Sequence, residues 1–124
     1  MRDITKFKRR ELVFVYGTLR SGHHNHSLIR KSRKIGLGKT KEKYALYHTS
    51  IPFLYEDEKI HQVIGELYEV NSATKEDLDM LEGHPVFYRR KRVPVLVDDK
   101  QYTAWLYFGA KQGRLIESGD YEKK

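Results

Sequence analysis

The sequence predicts an α+β protein: a mixed or antiparallel sheet able to curl into a barrel, with a few short flanking helices. Three observations lead there. At least five segments have the residue types and spacing of strands, and two short segments have helical character. The strands also follow one another at hairpin-like intervals, without the crossover helices of a regular βαβ repeat. A chain of 124 residues is the size of one domain, and no internal repeat or low-complexity stretch divides it. Residues 1–10 read as a basic, flexible segment, and 11–124 as the single domain.

Taken in order, Leu12-Val13-Phe14-Val15-Tyr16 is a continuous apolar run of β-formers between charge and glycine, and it reads as a fully buried strand. Gly17 to Gly22 follows as a turn. Asn25-His26-Ser27-Leu28-Ile29 has the look of a helix start, with Asn25 as its cap. Lys39 to Tyr47 is expected to be extended, and Pro52 to Tyr55 is a short apolar piece before an acidic turn. From His61 to Val70 the side chains alternate, with Val63, Gly65, Leu67 and Glu69 on one face and Ile64, Glu66, Tyr68 and Val70 on the other. Thr74 to Glu82 then turns helical. Thr74 with Asp77 fits a capping box, and Gly83 stands where a helix C-terminus favours glycine. Phe87–Val97 and Tyr102–Phe108 complete the strands around an Asp98-Asp99-Lys100 hairpin, with Trp105 expected in the core.

Composition excludes several function classes. Without cysteine there is no disulfide, thiol nucleophile or cysteine metal site. No apolar run approaches the roughly 20 residues that a membrane span needs, and the basic start leads into a strand-like segment and not a signal peptide. The cytoplasm is therefore the expected compartment. The net charge of +7 is uneven: residues 1–43 carry thirteen Lys or Arg against three Asp or Glu, leaving eleven against fourteen for the rest. Two basic blocks, residues 6–10 and 30–34, could attract phosphates. A solvated face is the simpler reading, and nucleic acid is not the expected partner. His23, His24 and His26 invite a metal reading, but adjacent histidines do not readily face one ion and no acidic ligand is suitably spaced.

The residue singled out by physical chemistry is Glu82. It lies four residues after Leu78, on the side of the helix where Leu78 and Leu81 form the expected buried stripe. A carboxylate bordering an apolar face is costly, and the last helical turn disfavours negative charge. Both effects raise its pKa toward the range of a general base working near neutrality. An exposed glutamate on a frayed turn also fits these facts. The Tyr16–Gly22 loop is the second element. A buried strand ending in a glycine turn that opens a helix can point backbone N–H groups at an anion, though a plain tight turn would look alike. It lacks the Lys-Ser/Thr of a P-loop, so no nucleoside triphosphate is implied. Tyr88, on the strand after the helix, reads as packing with a hydroxyl that could reach a site beside Glu82.

Val13-Phe14-Val15-Tyr16-Gly17-Thr18-Leu19-Arg20, Gly22-x-x-Asn25-His26, Gly65-Glu66-Leu67-Tyr68-Glu69-Val70, Leu78-Asp79-x-x-Glu82-Gly83 and Tyr88-Arg89-Arg90 occur in that order. Together they resemble the gamma-glutamylcyclotransferase-like family, most nearly its small branch with gamma-glutamylamine cyclotransferase. The resemblance implies a compact β-barrel with flanking helices and a cavity between the Tyr-Gly-Thr-Leu loop and the acidic helix end. It implies an enzyme that cyclises a γ-glutamyl amide, or a similar anionic small molecule, to 5-oxoproline and releases an amine. By the same resemblance Glu82 is the catalytic acid and base. Tyr16, Gly17, Thr18 and Leu19 cradle the substrate, Tyr88 lines it, and no metal or cofactor takes part. The leaving-amine side would be lined by parts of Tyr44–Tyr55. A catalytically silent binding or regulatory protein on the same scaffold is the second reading, and a nucleic-acid-associated protein the third.

Overall fold

In the computed structural model, which describes residues 10–124, the apolar run becomes strand β1 (Arg10–Val15). Its side chains explain why the run is continuous: Phe14 packs into one core, while Val13 and Val15 pack into another on the opposite face. The expected N-terminal segment lies outside the described residues except for Arg10, which opens β1. The remaining strands are β2 (Arg33–Thr40), β3 (Ala45–His48), β4 (Pro52–Tyr55), β5 (Ile64–Asn71), β6 (Arg89–Val97), β7 (Lys100–Phe108) and β8 (Arg114–Leu115).

Five of them close into a barrel in the order β1-β5-β2-β6-β7, and β4-β3-β8 form a small antiparallel sheet. The barrel is mixed: β1 meets β7 in parallel at Val13–Trp105, and the other pairings are antiparallel. Phe14, Leu67, Val95 and Leu106 are among the residues of the first core. The second gathers Val13, Val15, Tyr68 and Val70 from barrel strands with Leu78 of the helix and Phe53 of the small sheet.

Several expectations shift. The segment expected to be extended from Lys39 to Tyr47 is divided: β2 ends at Thr40 and β3 begins at Ala45. Of the basic block 30–34, Arg33 and Lys34 open β2 and pair with β5 before a register shift at Gly36, and Arg30, Lys31, Arg33 and Lys34 are all exposed, as a solvated face requires. The helix α1 (Ser72–Glu82) begins two residues earlier than predicted. Its cap is Asn71, the last residue of β5, whose side chain accepts the Thr74 N–H at 2.8 Å. The predicted Thr74–Asp77 box is thus displaced by one helical turn, because the strand runs directly into the helix. Gly83 does end it, at φ 64° in the left-handed region. Asn25 caps nothing: it lies inside a short 3-10 turn, His24–Leu28, and donates its carboxamide N–H to Thr18 Oγ1 at 2.9 Å. Trp105 is only partly buried; Lys75, Arg90 and Arg92 lie over its ring at 4.3–5.0 Å. Among the described residues no helix is long and apolar enough to cross a membrane.

Candidate active site

Where β1 leaves the barrel, the chain turns sharply at Gly17. A Cβ there would overlap the side chain of Pro52, so only glycine lets the loop approach β4 this closely. The turn is closed by Arg20 N–H donating to the Gly17 carbonyl at 3.0 Å and Asn25 N–H to the Thr18 carbonyl at 3.1 Å. The N–H groups of Gly17, Thr18 and Leu19 find no acceptor among the described residues. The loop is held from behind by a buried polar cluster. Glu66 accepts from Ser21 N–H at 2.9 Å and from the Tyr68 hydroxyl at 2.8 Å, while Arg20 pairs with Asp120 at 2.7 Å. Burial pushes the Glu66 carboxyl up, but the Ser21 N–H, Tyr68, Lys34 and Arg20 outweigh it and hold the group below its ordinary value. Burial likewise pushes Asp120 up, and its hydrogen bond from Arg20 brings it down.

The second wall is the end of α1. Asp79 accepts from the Tyr107 hydroxyl at 2.6 Å and from Arg90 Nε at 2.9 Å, which pins the helix to β7 and β6. One turn further on, Glu82 is half-buried, and its carboxyl has no hydrogen bond or ion pair among the described residues. Burial alone raises its pKa from 4.5 to about 7. Leu81, predicted to be core, is 43% exposed. It borders the cavity instead, because Gly83 ends the helix before a further turn can cover it.

Between these walls lies a cavity of about 400 Å³. Every residue that the sequence singled out for the site borders it: Tyr16, Gly17, Thr18, Leu19, Glu82 and Tyr88. Tyr88 contributes its ring, since its hydroxyl donates to the Pro52 carbonyl at 2.6 Å. Tyr16 is similarly committed, donating to the Tyr107 carbonyl at 2.7 Å; burial first, then the nearby Glu82, raise its pKa well above the usual phenol range. Ile51 and Pro52, within the Tyr44–Tyr55 segment expected on the leaving-amine side, also border the cavity, as do Met80 and Phe87, to which sequence reasoning assigned no part. For the Arg20–Glu66–Asp120 cluster the available signal was Glu66 itself, a carboxylate on the same strand face as Tyr68 and Val70.

The histidines take other roles. His26 Nδ1 lies 2.9 Å from the Leu19 carbonyl, and His23 Nε2 2.9 Å from Glu122. Among the described residues no group of three or more His, Cys, Asp or Glu is placed to hold a metal. The basic residues Arg30, Lys31 and Arg33, with Arg10, border a separate polar depression.

Comparison with known proteins gives this arrangement its context. A family model described as gamma-glutamyl cyclotransferase, AIG2-like, matches residues 13–123. A Methanocaldococcus jannaschii protein, provisionally named a gamma-glutamylcyclotransferase, is 52% identical over 115 residues, covering 90% of this chain and 96% of its own. A zebrafish (Danio rerio) gamma-glutamylaminecyclotransferase C is 32% identical over 120 residues, or 90% of this chain and 74% of its own. The crystal structure of a mouse AIG2-like protein superposes with a TM-score of 0.78 at 30% identity, covering 85% of this chain and 80% of that one. A closed mixed barrel, a cavity bounded by the Tyr16–Leu19 loop and Glu82, and sequence similarity over nearly the whole described chain lead to one assignment: the chain belongs to the gamma-glutamyl cyclotransferase, AIG2-like family.

Proposed function

We propose that the protein cyclises a γ-glutamyl amide to 5-oxoproline and releases the amine, with Glu82 as general base and then general acid. The observation that carries this reading is the pairing of a half-buried, partnerless carboxyl with unpaired loop N–H groups across one cavity. In such a substrate the α-amine is tethered to the γ-carbonyl at five-membered-ring distance, so much of the barrier falls once it is held in attack geometry. The α-amine nitrogen attacks the carbonyl carbon of the γ-amide, a C–N bond forms, and Glu82 takes the proton that this nitrogen sheds. The tetrahedral centre then collapses, the original amide C–N bond breaks, and Glu82 returns the proton to the departing nitrogen. A carboxyl that titrates at about 7 can serve in both directions near neutral pH. The N–H groups of Gly17, Thr18 and Leu19 are donors for the substrate carboxylate or for the carbonyl oxygen as it gains charge.

The test is 5-oxoproline release from a panel of γ-glutamyl amides and dipeptides by the wild type and by Glu82→Gln. Release by the wild type alone supports the reaction and the base together. Equal release by the variant removes Glu82 from the mechanism.

A further inference from the structure

The polar groups around the cavity are unevenly placed. Glu82 is the one bordering residue with a charged side chain among the described residues, and no cation faces it. The hydroxyls of Tyr16, Tyr88 and Tyr107 are spent on protein acceptors. What remains for a ligand is Glu82, the loop N–H groups, and the Thr18–Asn25 pair, which together match the charges of a glutamyl moiety. The rest of the wall is Ile51, Pro52, Met80, Leu81 and Phe87, all apolar. Several are unusually open for their type: Met80 is 82% exposed and Phe87 51%. Phe87 is also the outer ring of a near-parallel tier, 5.1 Å from Tyr88 at 14° and 6.2 Å from Phe53 at 12°. Supported in this way, it offers an aromatic face at low cost in side-chain ordering.

From this wall we infer that the tail carried by the leaving amine is uncharged and apolar, with arylalkyl amines preferred, and that Phe87 is the residue that sets the preference. The inference rests on the cyclisation reading for the site's use and deepens it by naming the substrate class. A tail bearing an ammonium or carboxylate would lose water against a wall with no counter-charge to replace it. An apolar tail gains by the same transfer, at about fourfold for each CH2 fully buried.

The experiment uses γ-glutamyl phenethylamide, pentylamide, methylamide and 5-aminopentylamide, with γ-glutamylglycine as the anionic case. Wild-type kcat/KM is measured from 5-oxoproline release, and Kd on Glu82→Gln by calorimetry. The phenethylamide should lead, and the pentylamide should exceed its 5-amino counterpart by about tenfold or more in both measurements. Phe87→Ala, at a half-exposed position whose folding is checked by melting, should cut the phenethylamide-to-methylamide ratio about tenfold. If charged tails match the phenethylamide while 5-oxoproline forms, the inference falls and the cyclisation reading stands. If no amide is cyclised but Glu82→Gln still ranks the ligands in this order, the selectivity stands and the reaction does not. Neither binding nor turnover of any amide overturns both.

Discussion

Glu82→Gln should do more than stop turnover; it should change how stability depends on pH. In the folded protein burial favours the protonated carboxyl, raising its pKa from 4.5 to about 7. Below pH 4.5 the folded and unfolded chains are both protonated at this site, so the group costs nothing. As the pH rises, the unfolded chain gives up the proton while the folded chain keeps it, and stability falls until both are ionised above about 7. The separation of about 2.5 in pKa, at about 1.36 kcal/mol each, corresponds to about 3 kcal/mol as an upper figure. Glutamine has the same shape and does not titrate. The variant should therefore gain on the wild type by up to about 3 kcal/mol between pH 4 and pH 8, and the gain should fall within the window from 4.5 to 7. Urea denaturation of both proteins across that range measures it directly. The same ionisation should give wild-type kcat/KM a rising limb centred at about 7, absent from any residual activity of the variant. Parallel stability profiles would refute the argument that this carboxyl is desolvated in the fold.

Other parts of the site carry their own expectations. Arg20→Ala leaves Glu66 and Asp120 buried without their guanidinium and should cost about 3–5 kcal/mol in denaturant melts. Because both carboxyls are held below their ordinary values of 4.5 and 3.8, the wild type should lose stability as the pH falls below that range, and the variant should show a shallower acid limb. Gly17→Ala forces the loop away from Pro52; a loss of about 1–3 kcal/mol is expected, with a raised KM in 5-oxoproline assays. Tyr107→Phe removes the 2.6 Å hydrogen bond to Asp79, which thermal melting should register as about 1–2 kcal/mol.

The elements legible in the sequence were those whose local chemistry and burial agree. From Leu12 onward β1 is continuously apolar because both its faces are packed, and the β6–β7 hairpin carries β-formers around Asp98, which adopts a positive φ of 55°. The end of α1 was legible for a similar reason, since Gly83 takes the conformation it favours. β2 was hidden because Gly36, Gly38 and its lysines are poor strand formers. The strand exists because β5 and β6 supply its hydrogen bonds, and the glycines allow close approach to Val97. Leu81 was misplaced because helical periodicity tells which side a residue is on, not where the neighbouring core stops. Among the cavity walls, the loop and Glu82 carried a signal in their own sequence. Ile51, Pro52 and Phe87 did not, because only tertiary packing brings the β3–β4 turn and the segment after α1 to the same opening.

The closure of the barrel also has a consequence in time. Strand β1 pairs with β5 and, at Val13–Trp105, with β7, both made well after it. A growing chain therefore carries the apolar stretch Val13–Tyr16 until those later staves exist to cover it. Ring closure between such distant segments is a slow route to the native state, and it leaves an adhesive edge open meanwhile. The residues that later border the cavity at Tyr16 and Gly17 take shape only once that edge is sealed, so the site should be among the last features of the molecule to form.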